Sequence, residues 1–132
     1  MVTPNNTLGK SEWHIMEKLW ELAPRTYVQL CHELKDDPGW SRSTVQTMLE
    51  RMTDKGVIRF EVAGRAKQYY PNVARDDVAV AEARSLLERA FAGSASMMMS
   101  TLVRKKQLTK EEINELYTIL QEAEDKNDGN ND

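Results

Sequence analysis

Cysteine is almost missing from this sequence. One residue, Cys31, occurs in 132, so neither an intramolecular disulfide nor a cysteine-based metal cage can form. Histidine is nearly as scarce, with only His14 and His32. No Ser/His/Asp set is plausible with these two, and the chain contains neither a Gly-rich phosphate loop nor an HExxH motif. An enzyme is not expected, and neither is a cofactor or a metal site. No apolar run approaches the ~20 residues that span a bilayer, and MVTPNNTLGK lacks the apolar region of a signal peptide. The reading is therefore a cytoplasmic protein without membrane insertion. A large charge excess is also absent. The net charge is -3, so bulk charge gives no pointer to nucleic acid.

What the chain does have is local charge. Residues 1–74 carry ten basic and nine acidic side chains, whereas residues 75–132 carry eight and twelve. Six bases (Arg42, Arg51, Lys55, Arg59, Arg65 and Lys67) fall within residues 41–70 against three acids. Positive charge clustered in this way is what meets a phosphate backbone. Length, with 40% hydrophobic and 30% charged residues, suits one small globular domain with an appendage.

Hydrophobic spacing divides the chain into elements. Residues 1–7 read as a loose polar arm. SEWHIMEKLWEL (11–22) places apolar residues at steps of three and four, which predicts an amphipathic helix capped by Ser11 and stopped by Pro24. TYVQLCHEL (26–34) predicts a second helix, with Thr26 and Gln29 at capping-box spacing, and DDPG predicts a turn. In SRSTVQTMLERM (41–52), Val45, Met48, Leu49 and Met52 recur at i, i+3, i+4 and i+7 and form a stripe for burial. Ser41 or Ser43 can cap this helix, and Gly56 can end it. Of the β-branched neighbours Thr44 and Val45, periodicity gives the core to Val45. VIRFEV (57–62) and KQYYPN (67–72) read as two strands joined by AGRA, where Gly64 can take positive φ. Pro71 confines its strand to the end or edge of a sheet. Helices are expected over 76–92, 94–106 and 109–124, the last with a capping box of Thr109 and Glu112.

The stripe of the third helix leaves Arg42, Ser43, Gln46, Thr47 and Glu50 on its far side, with Arg51 near the edge. Arg, Ser, Gln and Thr donate to phosphates and base edges in a major groove. A bland alternative is a solvated face without a role. A shorter helix and a turn come before this helix, in helix-turn-helix order. A hairpin bearing Arg65, Lys67 and Gln68 follows it. Taken alone, such a hairpin could simply be an edge guarded by charge. Together and in this order, the two devices describe a winged helix. The expected fold is mainly α with a small β-hairpin wing: a winged helix-turn-helix DNA-binding domain over 7–74, a helical dimerisation region over 75–124 and a disordered tail over 125–132.

SEWHIMEKLW, then GWSRSTVQTMLERMTDKGVIRFEVAGRAKQYYPNV, resembles the BlaI/MecI/CopY family of bacterial repressors. So does LVRKKQLTKEEINELYTIL, at the family's dimerisation end. The resemblance spans roughly residues 7–124. It implies a homodimeric repressor on a dyad-symmetric double-stranded DNA operator. By position, Ser41, Arg42, Ser43, Thr44, Gln46, Thr47 and Arg51 would lie at or near the DNA, with Arg65, Lys67 and Tyr69 on the wing. Among these, Arg51 and the wing bases suit phosphates, and Arg42, Gln46 and Thr47 suit base edges. Apolar candidates for the dimer interface are Leu86, Leu87, Phe91, Met98, Met99, Leu102, Val103, Ile113, Leu116 and Leu120, together with Ala90.

Copper-responsive members of that family carry a Cys-rich C-terminal site. Here the chain ends DKNDGNND, so the penicillinase-repressor type is the closer resemblance. Met97–Met99 suggest soft-metal binding, but adjacent helical residues splay about 100° apart, and adaptable packing at a subunit interface is the better reading. Cys31 reads as a small semi-buried residue and His14 as a surface histidine. β-Lactam-responsive members are relieved by proteolysis in the C-terminal half through a membrane-bound sensor protease. Alignment puts the corresponding bond at Thr101–Leu102, where this sequence departs from the family pattern on both sides. Two rival readings stand beside this one: a small-molecule-sensing winged-helix repressor and a winged-helix protein-interaction module.

Overall fold

The computed structural model describes residues 8–130. The arm expected over residues 1–7 lies outside them, as do Asn131 and Asp132. Two compact units divide the chain, one extending to Ser85 and the other starting at Leu86. The division falls inside a helix, later than the boundary at 74/75 expected from sequence.

The first unit holds α1 (Lys10–Glu21), β1 (Arg25–Thr26), α2 (Tyr27–Leu34), α3 (Arg42–Lys55), β2 (Ile58–Ala63) and β3 (Ala66–Pro71), and it includes the first part of α4 (Arg75–Phe91). α1 starts one residue before its expected range, on Gly9 instead of Ser11. The Gly9 amide donates to Glu12 Oε1 at 2.6 Å, so the returning carboxylate of the third helical position does the capping. Ile15, Met16 and Leu19 are buried, whereas Leu22, expected on the same stripe, is 63% exposed just past the helix end. The α2 capping box forms as read: Thr26 Oγ1 accepts from the Gln29 amide at 3.2 Å, and Gln29 Oε1 accepts from the Thr26 amide at 2.8 Å.

β2 and β3 pair antiparallel from Ile58↔Pro71 to Ala63↔Ala66. A two-residue turn, Gly64-Arg65, joins them, with Gly64 at φ 65°. Positive φ at the first turn position matches the right-handed twist of the strands. The sheet contains a third strand that the sequence did not announce. β1 pairs with β3 through Arg25↔Tyr69 and Thr26↔Gln68, giving the order β1-β3-β2. Two residues are too few for an alternating pattern to register. β3 is therefore central, and Pro71 sits at its end, where a missing N–H costs no ladder bond.

Leu30, Leu34, Val45, Leu49, Met52, Val57 and Ile58 close the core with the α1 residues. Val78 of α4 joins them fully buried, and Glu82 accepts from the Leu8 amide at 2.9 Å. These contacts carry the start of α4 into the first unit. Ion pairs brace it, among them Arg75 to Glu17 at 2.8 Å. Lys55, at the end of α3, reaches the buried Glu12 at 2.9 Å. Arg25 pairs with Glu33 and donates from Nε to the Leu22 carbonyl at 2.8 Å.

The second unit holds the rest of α4, then α5 (Ala95–Arg104) and α6 (Lys110–Asn130). α4 ends at Phe91, and Ala92 and Gly93 follow it at φ 49° and 81°. Ser94 caps α5 by accepting from the Met97 amide at 3.0 Å. The Thr109–Glu112 capping box of α6 is also formed, at 3.1 and 2.9 Å. α6 runs on to Asn130, past the point where composition predicts a disordered tail. Once a helix is nucleated, each added residue contributes a backbone hydrogen bond at little further cost. Among the described residues, no helix is long and apolar enough to cross a membrane.

Candidate nucleic-acid interface

α3 divides into two faces as its spacing demands. Val45, Met48, Leu49 and Met52 are all buried. Ser41, Arg42, Ser43, Thr44, Gln46, Thr47, Glu50 and Arg51 are all exposed. Ser41, and not Ser43, is the N-cap, with its hydroxyl accepting from the Thr44 amide at 3.2 Å. That hydroxyl also lies 3.1 Å from Ser43 Oγ and 3.0 Å from Thr44 Oγ1, so three hydroxyls cluster at the helix start. Gly56 closes the other end at φ 89°.

The six bases of this segment are not equivalent. Lys55 is committed to Glu12. Arg59 pairs with Glu61 at 3.2 Å and stacks over Tyr70 at 4.3 Å. The Lys67 ammonium lies 4.3 Å over the Phe60 ring, which keeps it exposed but fixed. Arg42, Arg51 and Arg65 are exposed, and among the described residues no ion pair involves them. No carboxylate holds these three guanidiniums back from phosphates.

Tyr69 differs from the other wing candidates. Its side chain is 7% exposed, and its ring lies 5.9 Å from that of Phe60. Burial pushes its phenol above the usual 10.0, and the nearby Glu50 charge adds to the shift. It supports the wing from beneath, whereas Arg65 and Lys67 stand on the outside.

The fold also brings α2 to this face. The Tyr27 hydroxyl donates to the Arg42 carbonyl at 3.1 Å, tying the first turn of α2 to the first turn of α3. A cavity of about 340 Å³ on one side of Val28 is lined by His32, Lys35, Ser41 and Arg42. A second, of about 360 Å³, lies on its other side and is lined by Tyr27, Gln46, Arg65 and Lys67. Lys35 and His32 are exposed. Their spacing of three along α2 was the available signal for a shared face. Cys31 is buried beneath them, in line with its reading as a small packed residue. His14 is half-buried and not a free surface group, since its ring packs edge-on to Trp40 at 5.5 Å.

In the second unit, none of the described side chains is buried. Met99, Val103, Ile113, Leu116 and Leu120 line one apolar groove of about 200 Å³ between α5 and α6. Leu86, Leu102, Leu87, Phe91 and Met98 are partly or largely exposed as well. Thr101 and Leu102 lie in the last turn of α5, with Thr101 Oγ1 donating to the Met97 carbonyl at 2.9 Å.

Known proteins agree with this architecture. The chain is 33% identical over 115 residues to a penicillinase repressor of Bacillus licheniformis, covering 87% of this chain and 90% of that protein. It is 25% identical over 113 residues to the methicillin resistance regulatory protein MecI of Staphylococcus aureus, covering 86% and 92%. The solved DNA-binding domain of the repressor BlaI superposes with a TM-score of 0.52 at 28% identity, covering 57% of this chain and 93% of that one. The penicillinase repressor family model matches residues 8–122. With a winged-helix unit of the BlaI type and a match over nearly its whole length, the chain belongs to the penicillinase repressor family.

Proposed function

We propose that this chain is a homodimeric transcriptional repressor that binds a dyad-symmetric DNA operator. One observation carries the reading. α3 offers a continuous exposed face of hydroxyl, amide and guanidinium groups, flanked by a wing whose Arg65 has no ion pair among the described residues. In the proposed complex α3 enters the major groove, and Arg65 and Lys67 follow the neighbouring phosphates. Arg42, Gln46 and Thr47 meet base edges, Arg51 takes a phosphate beside them, and Tyr69 acts by holding the wing in position. Two protomers would engage half-sites about one helical turn apart. Family membership supports the repressor role, and the uncovered apolar surface of α5 and α6 supports a second copy as its cover.

A gel shift with DNA from upstream of the chain's own gene tests this. A retarded complex that weakens steeply with salt is expected. No complex at low salt would overturn the reading.

Relief by proteolysis after a cell-wall antibiotic signal, through a membrane-bound sensor protease, is the regulatory half of the proposal. Its bond is Thr101–Leu102. A protease needs extended chain, so the last turn of α5 must open before this bond can be cut. Mass spectrometry of the chain from induced cells should show fragments ending at Thr101 and starting at Leu102.

A further inference from the structure

Glu50 does not fit the rest of its face. The side chains around it donate to anions, and a carboxylate aimed at DNA opposes them. Among the described residues no ion pair neutralises it. What it does contact is Gln46, one helical turn earlier, whose Nε2 donates to Glu50 Oε1 at 2.9 Å. Both side chains are exposed and line the cleft of about 270 Å³ between α3 and the wing.

We infer that Glu50 is a positioning residue that locks the Gln46 amide in one orientation, so that Gln46 reads an adenine in the major groove. This rests on the DNA-binding reading above. An ionised carboxylate only accepts hydrogen bonds. It must therefore face the amide nitrogen and repel the amide oxygen, which removes the two-fold flip of a free glutamine. One Nε2 proton is used on Glu50. In the inferred arrangement the proton anti to the carbonyl goes to Glu50, which leaves the syn proton and Oε1 side by side on an exposed side chain. A donor beside an acceptor is what adenine complements with N7 and N6 in the major groove. Guanine presents two acceptors there, so it sets its O6 against Oε1. The unpaired charge of Glu50 reinforces that discrimination, because it repels phosphates and acceptor-rich edges alike. Glu50 thereby exchanges some non-specific affinity for selectivity.

The test uses the full chain and a footprinted operator duplex, with fluorescence anisotropy as the readout. Each adenine in the footprint is replaced in turn by 7-deazaadenine, which keeps its pairing but lacks the N7 acceptor. Wild type should lose about tenfold in affinity at one adenine per half-site. Glu50→Ala should shrink that loss below about threefold, while binding random-sequence duplex as tightly as wild type or more tightly. Glu50→Gln, which keeps an acceptor oxygen without the charge, should restore part of the discrimination. Gln46→Ala should abolish it, and Glu50→Ala added to Gln46→Ala should change it no further. If Glu50→Ala retains the full 7-deazaadenine loss, the inference is wrong. It is equally wrong if Glu50→Ala weakens operator and random DNA in parallel, as a merely structural role would. A wild type that binds its operator without a sensitive adenine overturns this inference alone. A wild type that binds no DNA overturns the repressor reading with it.

Discussion

Arg42, Arg51 and Arg65 each end in a guanidinium that meets no carboxylate among the described residues, whereas Arg59 is held between Glu61 and Tyr70. A cation must shed its existing partner before it can take a phosphate, so these residues should contribute unequally. Each of Arg51→Ala and Arg65→Ala is expected to lower the slope of log Kobs against log salt by about 0.9. Arg59→Ala should lower it by less than half of that, and a series of titrations between low and physiological salt measures both. Tyr69 belongs to another kind of chemistry. Its phenol titrates above the usual 10.0 because it is buried beside Glu50. The folded chain therefore holds that proton more tightly than the unfolded chain. The resulting stability is complete below about pH 10 and is lost as pH rises through the raised value. Tyr69→Phe should match wild type in urea unfolding at pH 7 and fall less steeply than wild type above pH 10. The inward and outward residues of α3 were legible in advance, because a 3.6-residue period alone sorts them. The state of Arg59 and the burial of Tyr69 were not, since both depend on which strand lies alongside.

α3 works as a reading helix only if its ends and its stripe hold it still. Gly56 ends it in the left-handed region at φ 89°, where a Cβ is penalised. Gly56→Ala should cost about 1–2 kcal/mol of stability, read from chemical denaturation. Leu49 is 1% exposed under the same helix, and Leu49→Ala should cost about 2–5 kcal/mol, with a loss of operator affinity that cooling partly restores. Caps of this kind are short-range devices. Thr26, Ser41, Ser94 and Thr109 all accept from amides three residues ahead, and so short a range is why sequence alone marked Thr26 and Thr109 and narrowed the cap of α3 to Ser41 or Ser43. α1 was the exception: its Glu12 carboxylate caps Gly9 from inside the helix and is held by Lys55 of α3. Nothing near Ser11 signals that arrangement.

Two units of very different packing share this chain. The first has a closed core, and the second leaves Val103, Tyr117, Ile119 and Leu120 each at least half exposed. If a second copy covers that apolar surface, Leu116→Glu should convert the chain from dimer to monomer in sedimentation equilibrium. The same variant should bind a single half-site duplex with unchanged Kd but lose the extra affinity that a full operator gains from two linked domains. A variant that remains dimeric would move the interface elsewhere. Winged-helix order, the wing turn at Gly64, the outward face of α3 and the apolar stripes of the later helices were all readable from the chain, because each is set by residues within about one or two turns of one another. The third strand, the choice of free cations, the inward turn of Tyr69 and the burial of Glu12 against Lys55 were decided on folding. They join residues such as Glu12 and Lys55, 43 positions apart, and no local period carries information across that distance.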